Sequence, residues 1–198
     1  MSEDFSLSAR ALQLASVLDR CQVTNADAAA MPAETGIANC IEILISARNR
    51  ASSVYIIGNG GSAGVAGHAA IDFVNVAKLR AFTLHEAALL TCMANDYGYE
   101  NAFARLLSEL GRPGDVLIAI SSSGRSMNIR NAATQVKGNG GTVITLSGFA
   151  GDNPLRSGGD VNIWLDSNDY GMVEIGHQFI LHNLSDRLGT RPTGGGAI

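Results

Sequence analysis

Apolar residues recur along the chain in two different rhythms. From Phe5 to Ala51 they return every three or four residues, with one interruption at Thr24-Asn25, so two helices are predicted there. Beyond Ala51, short apolar runs alternate with helical stretches. The runs predict five strands, at residues 54–57, 81–84, 116–120, 142–146 and 161–165. The helical stretches lie at residues 63–78, 87–93, 99–110, 127–136 and 171–188.

Strands that alternate with helices indicate right-handed βαβ units and a parallel sheet. The strand runs are apolar throughout, which is typical of strands covered on both faces. We therefore predict an α/β fold: a three-layer, flavodoxin-like sandwich with a central five-stranded parallel sheet, preceded by N-terminal helices. We expect one domain, with the N-terminal helices at 1–51, the α/β core at 52–188 and a flexible tail at 189–198.

Charge and composition narrow the possible partners. The formal net charge is -4 and there is no basic block, which argues against nucleic-acid binding. The sequence contains no run of ~18 apolar residues, which is the length that a membrane-spanning helix needs. The polar N-terminus does not resemble a signal peptide. The three cysteines form no CxxC pair, which argues against a disulfide frame or a zinc knuckle. These features predict a cytoplasmic protein that binds neither membranes nor nucleic acid.

The first candidate site is the loop from Gly58 to Ser62, which reads GNGGS and joins a strand to a helix. Its glycines let the backbone approach an anion closely, and the helix start offers free N–H groups. Ser62 is a natural N-cap. A plain tight turn is one alternative. Another is a dinucleotide site, because Gly58, Gly60 and Ala63 fit GxGxxA, although Glu86 lies farther along than the usual ~20 residues.

The second candidate site is the loop from Ser121 to Ser126, which reads SSSGRS and again joins a strand to a helix. Its four serine hydroxyls donate to phosphate oxygens without adding charge, and the following helix contributes its partial positive end. A helix cap would need one serine, not four. Because the carboxyl ends of parallel strands share one sheet edge, both loops are predicted to form an anion site there.

Histidines and acids give a third set of candidates. His68 and Asp72 stand four residues apart, on one helix face just after the first loop, a spacing that suits two ligands of one metal or an ordinary surface pair. Glu174 and His182 lie in the last helix, about 12 Å apart along its axis. Spacing alone therefore does not predict that all four residues meet.

These motifs resemble the sugar isomerase (SIS) family, in particular its phosphoheptose isomerases. The first loop is identical to theirs, and the second matches STSGxS with Ser122 in place of Thr. Residues 95–98 match an Asn-Asp-aromatic-Gly stretch, and the likeness extends over residues 51–188. The resemblance implies conversion of sedoheptulose 7-phosphate to D-glycero-D-manno-heptose 7-phosphate through an enediol, in a homotetramer.

The resemblance also assigns roles to individual residues. It implies zinc, or another divalent ion such as manganese, on His68, Asp72, Glu174 and His182. It implies acid–base catalysis by Asp72 and His182. The residues that it implies for binding the phosphorylated sugar are Asn59, Gly60, Gly61, Ser62, Asp96, Ser121, Ser122, Ser123, Ser126 and Glu174. His177 is expected to be structural, and His85 has no matching role.

Besides Ser122, four positions depart from the family pattern. Asp72 replaces Glu, Glu174 replaces Gln, Val76 replaces an Arg, and Gly171 replaces an Asp. These departures leave two alternatives open. One is an isomerase of a different phosphosugar, and the other is a non-catalytic SIS protein that binds a partner, as the replication-initiator-binding members do.

Overall fold

The computed structural model describes residues 5–189. Its α-helices are α1 (Leu7–Asp19), α2 (Ala33–Asn49), α3 (Gly61–Asn75), α4 (Ala87–Tyr97), α5 (Ala102–Leu110), α6 (Met127–Gly138) and α7 (Tyr170–Leu188). Its strands are β1 (Gln22–Asn25), β2 (Ala30–Met31), β3 (Ser53–Ile57), β4 (Arg80–Thr83), β5 (Val116–Ser121), β6 (Thr142–Ser147) and β7 (Val161–Trp164). The predicted tail lies mostly outside the described residues.

One sheet runs through the centre of the molecule, in the order β2-β1-β7-β6-β5-β3-β4. The five predicted strands are all present and mutually parallel, so that prediction is confirmed. The strand number is wrong, however, because β1 and β2 pair antiparallel beside β7 and make the sheet seven-stranded and mixed.

The missed hairpin depends on contacts that are distant in sequence. Val23 is buried, but the strand around it is only four residues long and polar. Its pairing partner β7 lies more than 130 residues further on, and Asn162 donates a hydrogen bond to the Asn25 carbonyl there. The Asn25 side chain also closes the turn, since it accepts the N–H groups of Asp27 and Ala29. Local periodicity does not carry this information.

Alternate residues of the central strands point to opposite faces of the sheet and contribute to two separate apolar layers. Val54 and Ile56 of β3 pack with α2, α3 and α7 on one face, while Tyr55 and Ile57 pack with α4, α5 and α6 on the other. Both faces are therefore covered, as the continuous apolar runs predicted. No helix among residues 5–189 is long and apolar enough to cross a membrane.

The direction of chain progression reverses between β3 and β5. From β3 the chain moves to β4 on one side, then returns to β5 on the other side and continues to β6 and β7. The loops after β3 and β5 therefore diverge and leave a crevice at the carboxyl edge of the sheet. Ligands of open parallel sheets bind at such switch points, and both candidate loops lie here.

Candidate active site

The first loop presents an open helix N-terminus. Gly60 has φ +54°, a conformation that favours glycine, and α3 begins at the next residue. The sequence predicted Ser62 as the N-cap, but the N-cap residue is Gly60. Ser62 is the second residue of α3 and so lies inside the helix. Ser62 is only 4% exposed, and its hydroxyl makes no hydrogen bond within residues 5–189. It remains available to a ligand.

The second loop turns sharply at Gly124, which has φ +64°. The Gly124 N–H donates to the Ser121 carbonyl at 2.9 Å, and the Ser121 hydroxyl donates to Ser126 Oγ at 3.3 Å. The Ser122 hydroxyl is buried and has no hydrogen-bond partner in the described chain. A buried hydroxyl without a partner carries a desolvation cost, which a bound anion would offset.

The two loops enclose a polar cavity of about 250 Å³. It is lined by Asn59, Gly60, Gly61, Ser62, Ile120, Ser121, Ser122, Ser123, Ser126, Tyr170 and Glu174. Nine of the residues predicted to bind the sugar phosphate therefore lie together. Asp96 does not line this cavity. It lies on α4, where it accepts hydrogen bonds from the Asn95 amide and the Cys92 thiol, and its role stays a prediction.

Three side chains that the sequence did not single out support the loops. The Asn59 amide exchanges hydrogen bonds with Asn128 and accepts one from the Tyr99 hydroxyl. His85 lies 3.0 Å from the Gly58 carbonyl through Nε2, and its ring packs edge-on against Phe103. Burial lowers the pKa of His85, which favours the neutral ring, and Nε2 also lies 3.4 Å from the Gly58 backbone nitrogen. Asn59 thus ties the loop to its surroundings, and the second N–H of its amide makes no hydrogen bond within residues 5–189.

Three of the four predicted metal ligands meet where α3 packs against α7. His182 Nδ1 lies 3.0 Å from Asp72 Oδ2, and His182 Nε2 lies 3.0 Å from His68 Nε2. His68 Nε2 is 3.4 Å from the same carboxylate oxygen. Although both rings approach Asp72 Oδ2, this buried oxygen receives no hydrogen bond of acceptable geometry. Two imidazoles and an unpartnered carboxylate oxygen form a donor set that fits zinc.

Glu174 lies apart from this group. Its carboxylate rests against Gly61 so closely that any Cβ at position 61 would overlap it. It makes no hydrogen bond or ion pair within residues 5–189 and faces the serine-lined cavity. The structure therefore brings His68, Asp72 and His182 together, and it places Glu174 with the phosphate loop.

The remaining candidates have structural positions. His177 is fully buried, its Nε2 donates to the Ser147 carbonyl, and burial lowers its pKa to about 4. Glu86 caps α4 by accepting the N–H groups of Ala88 and Leu89, which lower its pKa. The structure therefore gives Glu86 a role as the N-cap of α4. Val76 packs against Gly189 at the end of the α3–α7 contact.

Comparison with known proteins agrees with this geometry. The SIS domain family model matches residues 22–148. The phosphoheptose isomerase of Shewanella oneidensis is 34% identical over 173 residues, which are 83% of this chain and 87% of that protein. The phosphoheptose isomerase of Geotalea daltonii is 37% identical over 161 residues, 78% of this chain and 83% of that protein.

The fold agrees as well. The solved phosphoheptose isomerase of Neisseria gonorrhoeae superimposes with a TM-score of 0.78 at 25% identity, over 92% of this chain and 97% of that chain. The family match, the relatives and the shared architecture all identify the same family. The chain belongs to the SIS domain family, as a relative of its phosphoheptose isomerases.

Proposed function

We propose that the protein is a sugar-phosphate isomerase that converts sedoheptulose 7-phosphate to D-glycero-D-manno-heptose 7-phosphate. One observation carries the proposal: the serine-lined cavity and the His68, Asp72 and His182 group lie along the same α3–α7 contact. A ligand held by its phosphate at one end would extend toward acid–base groups at the other. The phosphoheptose isomerases among its relatives support the reaction class.

Phosphate binding would depend on local donors, because the net charge of -4 repels an anion. The N-terminus of α3 offers backbone N–H groups together with the free Ser62 hydroxyl. Ser122 adds its unpartnered hydroxyl, and Ser123 and Ser126 border the same cavity. Holding the phosphate would position the reacting carbons, which is a large part of what an isomerase must do.

The chemistry moves one proton between neighbouring carbons. In the ketose-to-aldose direction, Asp72 takes a proton from C1 while His182 protonates the C2 carbonyl oxygen, which gives the enediol. Asp72 then returns its proton to C2, and His182 accepts the proton from O1. Zinc, or another divalent ion held by His68, Asp72 and His182, would polarise the two substrate oxygens.

We also propose a homotetramer in the cytoplasm. Large apolar side chains remain uncovered on α1 and α7, which contact one another, including Leu7 at 87% exposure and Phe179 at 55%. The helix α4 has no fully buried residue, although the apolar residues Leu89 and Leu90 lie on it. Apolar area on this scale favours association with further copies of the chain. Light scattering at micromolar concentration would give the mass, and a monomer would contradict the proposal.

The isomerase proposal is tested with a panel of C5 to C7 sugar phosphates, assayed for aldose–ketose conversion with and without added zinc. Turnover of sedoheptulose 7-phosphate that is lost in Asp72→Asn supports it. Conversion of another sugar phosphate alone would change the substrate but keep the reaction. If nothing is converted and no metal binds, the protein is a non-catalytic member of the family that binds a partner.

A further inference from the structure

Tyr170 lines the phosphate cavity from outside both serine loops. It is the first residue of α7, and the residue is 61% exposed. The backbone before it is fixed, because Asp169 caps the helix by accepting the Met172 N–H and also pairs with Arg10 at 2.7 Å. A large aromatic ring is therefore held at the mouth of an otherwise small and polar cavity.

Phe149 fixes the direction of that ring. The two rings meet edge-on, with centroids 4.6 Å apart and planes at 76°. Phe149 has φ +58°, a conformation that bulky residues rarely adopt, and its N–H donates to the Ser167 carbonyl at 2.9 Å. Strained backbone of this kind persists where the surroundings hold it and is concentrated at functional sites.

A second residue that lines the cavity has different chemistry. Glu174 stands one helical turn after Tyr170, and its carboxylate has no partner within the described residues. A carboxylate accepts hydrogen bonds from hydroxyl groups, whereas an aromatic face attracts C–H groups. The carbon chain of a sugar carries hydroxyls along its edges and C–H groups on its faces, so the cavity mouth offers a surface for each.

We propose that Tyr170, held by Phe149, is a specificity-determining residue that takes the C–H face of the sugar chain. The inference rests on the proposed function. It explains how the cavity would distinguish a phosphorylated sugar from inorganic phosphate, since the serine loops recognise only the phosphate. Selectivity for the polyhydroxy chain would come from the aromatic ring of Tyr170 together with the neighbouring carboxylate of Glu174.

The test compares Tyr170→Ala with the control Tyr170→Phe, which keeps the ring. Calorimetry measures binding of sedoheptulose 7-phosphate and of inorganic phosphate to each. We expect Tyr170→Ala to weaken sugar-phosphate binding about tenfold, to raise KM more than it lowers kcat, and to leave phosphate binding unchanged. Tyr170→Phe should stay within about twofold of the wild type.

Phe149→Gly gives a second variant, because glycine accepts φ +58° without strain and removes only the supporting ring. We expect a smaller loss of sugar-phosphate binding than in Tyr170→Ala. If the wild-type protein binds the sugar phosphate and Tyr170→Ala binds it equally well, the role of the Tyr170 ring is refuted and the isomerase proposal stands. If the wild-type protein binds phosphate but no sugar phosphate, both proposals fall.

Discussion

Asn59 and Asn128 exchange two amide hydrogen bonds, each 2.9 Å long, and thereby tie the loop after β3 to the first turn of α6. The orientation of both amides follows from further partners, since Asn59 Oδ1 also accepts the Tyr99 hydroxyl and Asn128 Oδ1 also accepts the Ile129 N–H. The two serine-bearing loops lie on either side of this pair. The pair therefore helps to set the separation of the two loops, and so the width of the cavity.

Removing one member of the pair should loosen the cavity. We expect Asn128→Ala to lower the free energy of unfolding by about 1–3 kcal/mol, because it leaves the Asn59 amide without its partner, and to weaken inorganic phosphate binding. Tyr99→Phe is the matched control, since it removes a single, more exposed bond. Urea unfolding and calorimetry measure the two effects. Equal results for both variants would show that the reciprocal pair does not hold the loops.

The fold was largely accessible from sequence because its parallel strands are continuous apolar runs. The β3 to β7 strands and all of the core helices appear where periodicity predicts them. The β1–β2 hairpin was missed because its stability comes from pairing with β7 and from the Asn25 turn. Such long-range pairing leaves no local pattern to detect.

The candidate site could be predicted from the sequence only in part, for a related reason. Serine-rich loops after strands indicate an anion site by composition alone. Neither the Asn59–Asn128 bonds nor the contact of His85 with Gly58 follows from spacing, because each joins residues brought together by the sheet. The contact of Glu174 with Gly61 likewise joins residues that are distant in sequence, so its place beside the first loop could not be read from spacing.

His85 is expected to influence binding through the loop that it holds. His85→Ala removes the contact between the His85 ring and the Gly58 backbone and should weaken inorganic phosphate binding several-fold, because the loop loses a fixed backbone position. His85→Gln keeps an N–H donor of similar reach and should restore most of the affinity. Calorimetry with phosphate gives both values. If His85→Gln binds as weakly as His85→Ala, ring packing on Phe103 matters and the hydrogen bond does not.

Ser122 should show opposite effects on stability and on binding. Ser122→Ala removes a buried hydroxyl that has no partner, so the free energy of unfolding without ligand should stay equal or rise by up to about 1 kcal/mol. Phosphate binding should nevertheless weaken, because one donor is lost. The double variant Ser121→Ala with Ser123→Ala should weaken binding further. Unchanged affinity in both variants would remove this loop from the phosphate site.

The buried His177 is expected to make the free energy of unfolding depend on pH in the acidic range. Its pKa is about 4 in the folded protein, against about 6.5 when unfolded. Between these values the unfolded chain binds more protons, so stability is fully present above pH 6.5 and falls as the pH drops toward 4, by about 3 kcal/mol in total. Urea midpoints at several pH values measure this.

A His177→Gln variant is the control for that measurement, because it cannot titrate. Its overall stability is expected to be lower, so the slope of stability against pH is compared rather than the midpoint. Asp169 does not interfere in this window, since its hydrogen bond with Arg10 lowers its pKa below the ordinary value. Equal slopes for the variant and the wild type would show that His177 is not the group responsible.

The last prediction separates Glu174 from the metal ligands. Because His68, Asp72 and His182 meet without it, Glu174→Ala, which removes every donor atom at this position, should bind zinc as the wild type does, whereas His68→Ala and His182→Ala should lose it. Zinc titrated into metal-stripped protein gives the affinity directly. Zinc at 100 times its Kd should also stabilise the folded wild type by about 2.7 kcal/mol, and a chelator should reverse this. Neither effect should occur in the two histidine variants. If Glu174→Ala loses zinc as completely as His68→Ala does, Glu174 reaches the ion after all, and the four-residue ligand set implied by the family resemblance is the correct one.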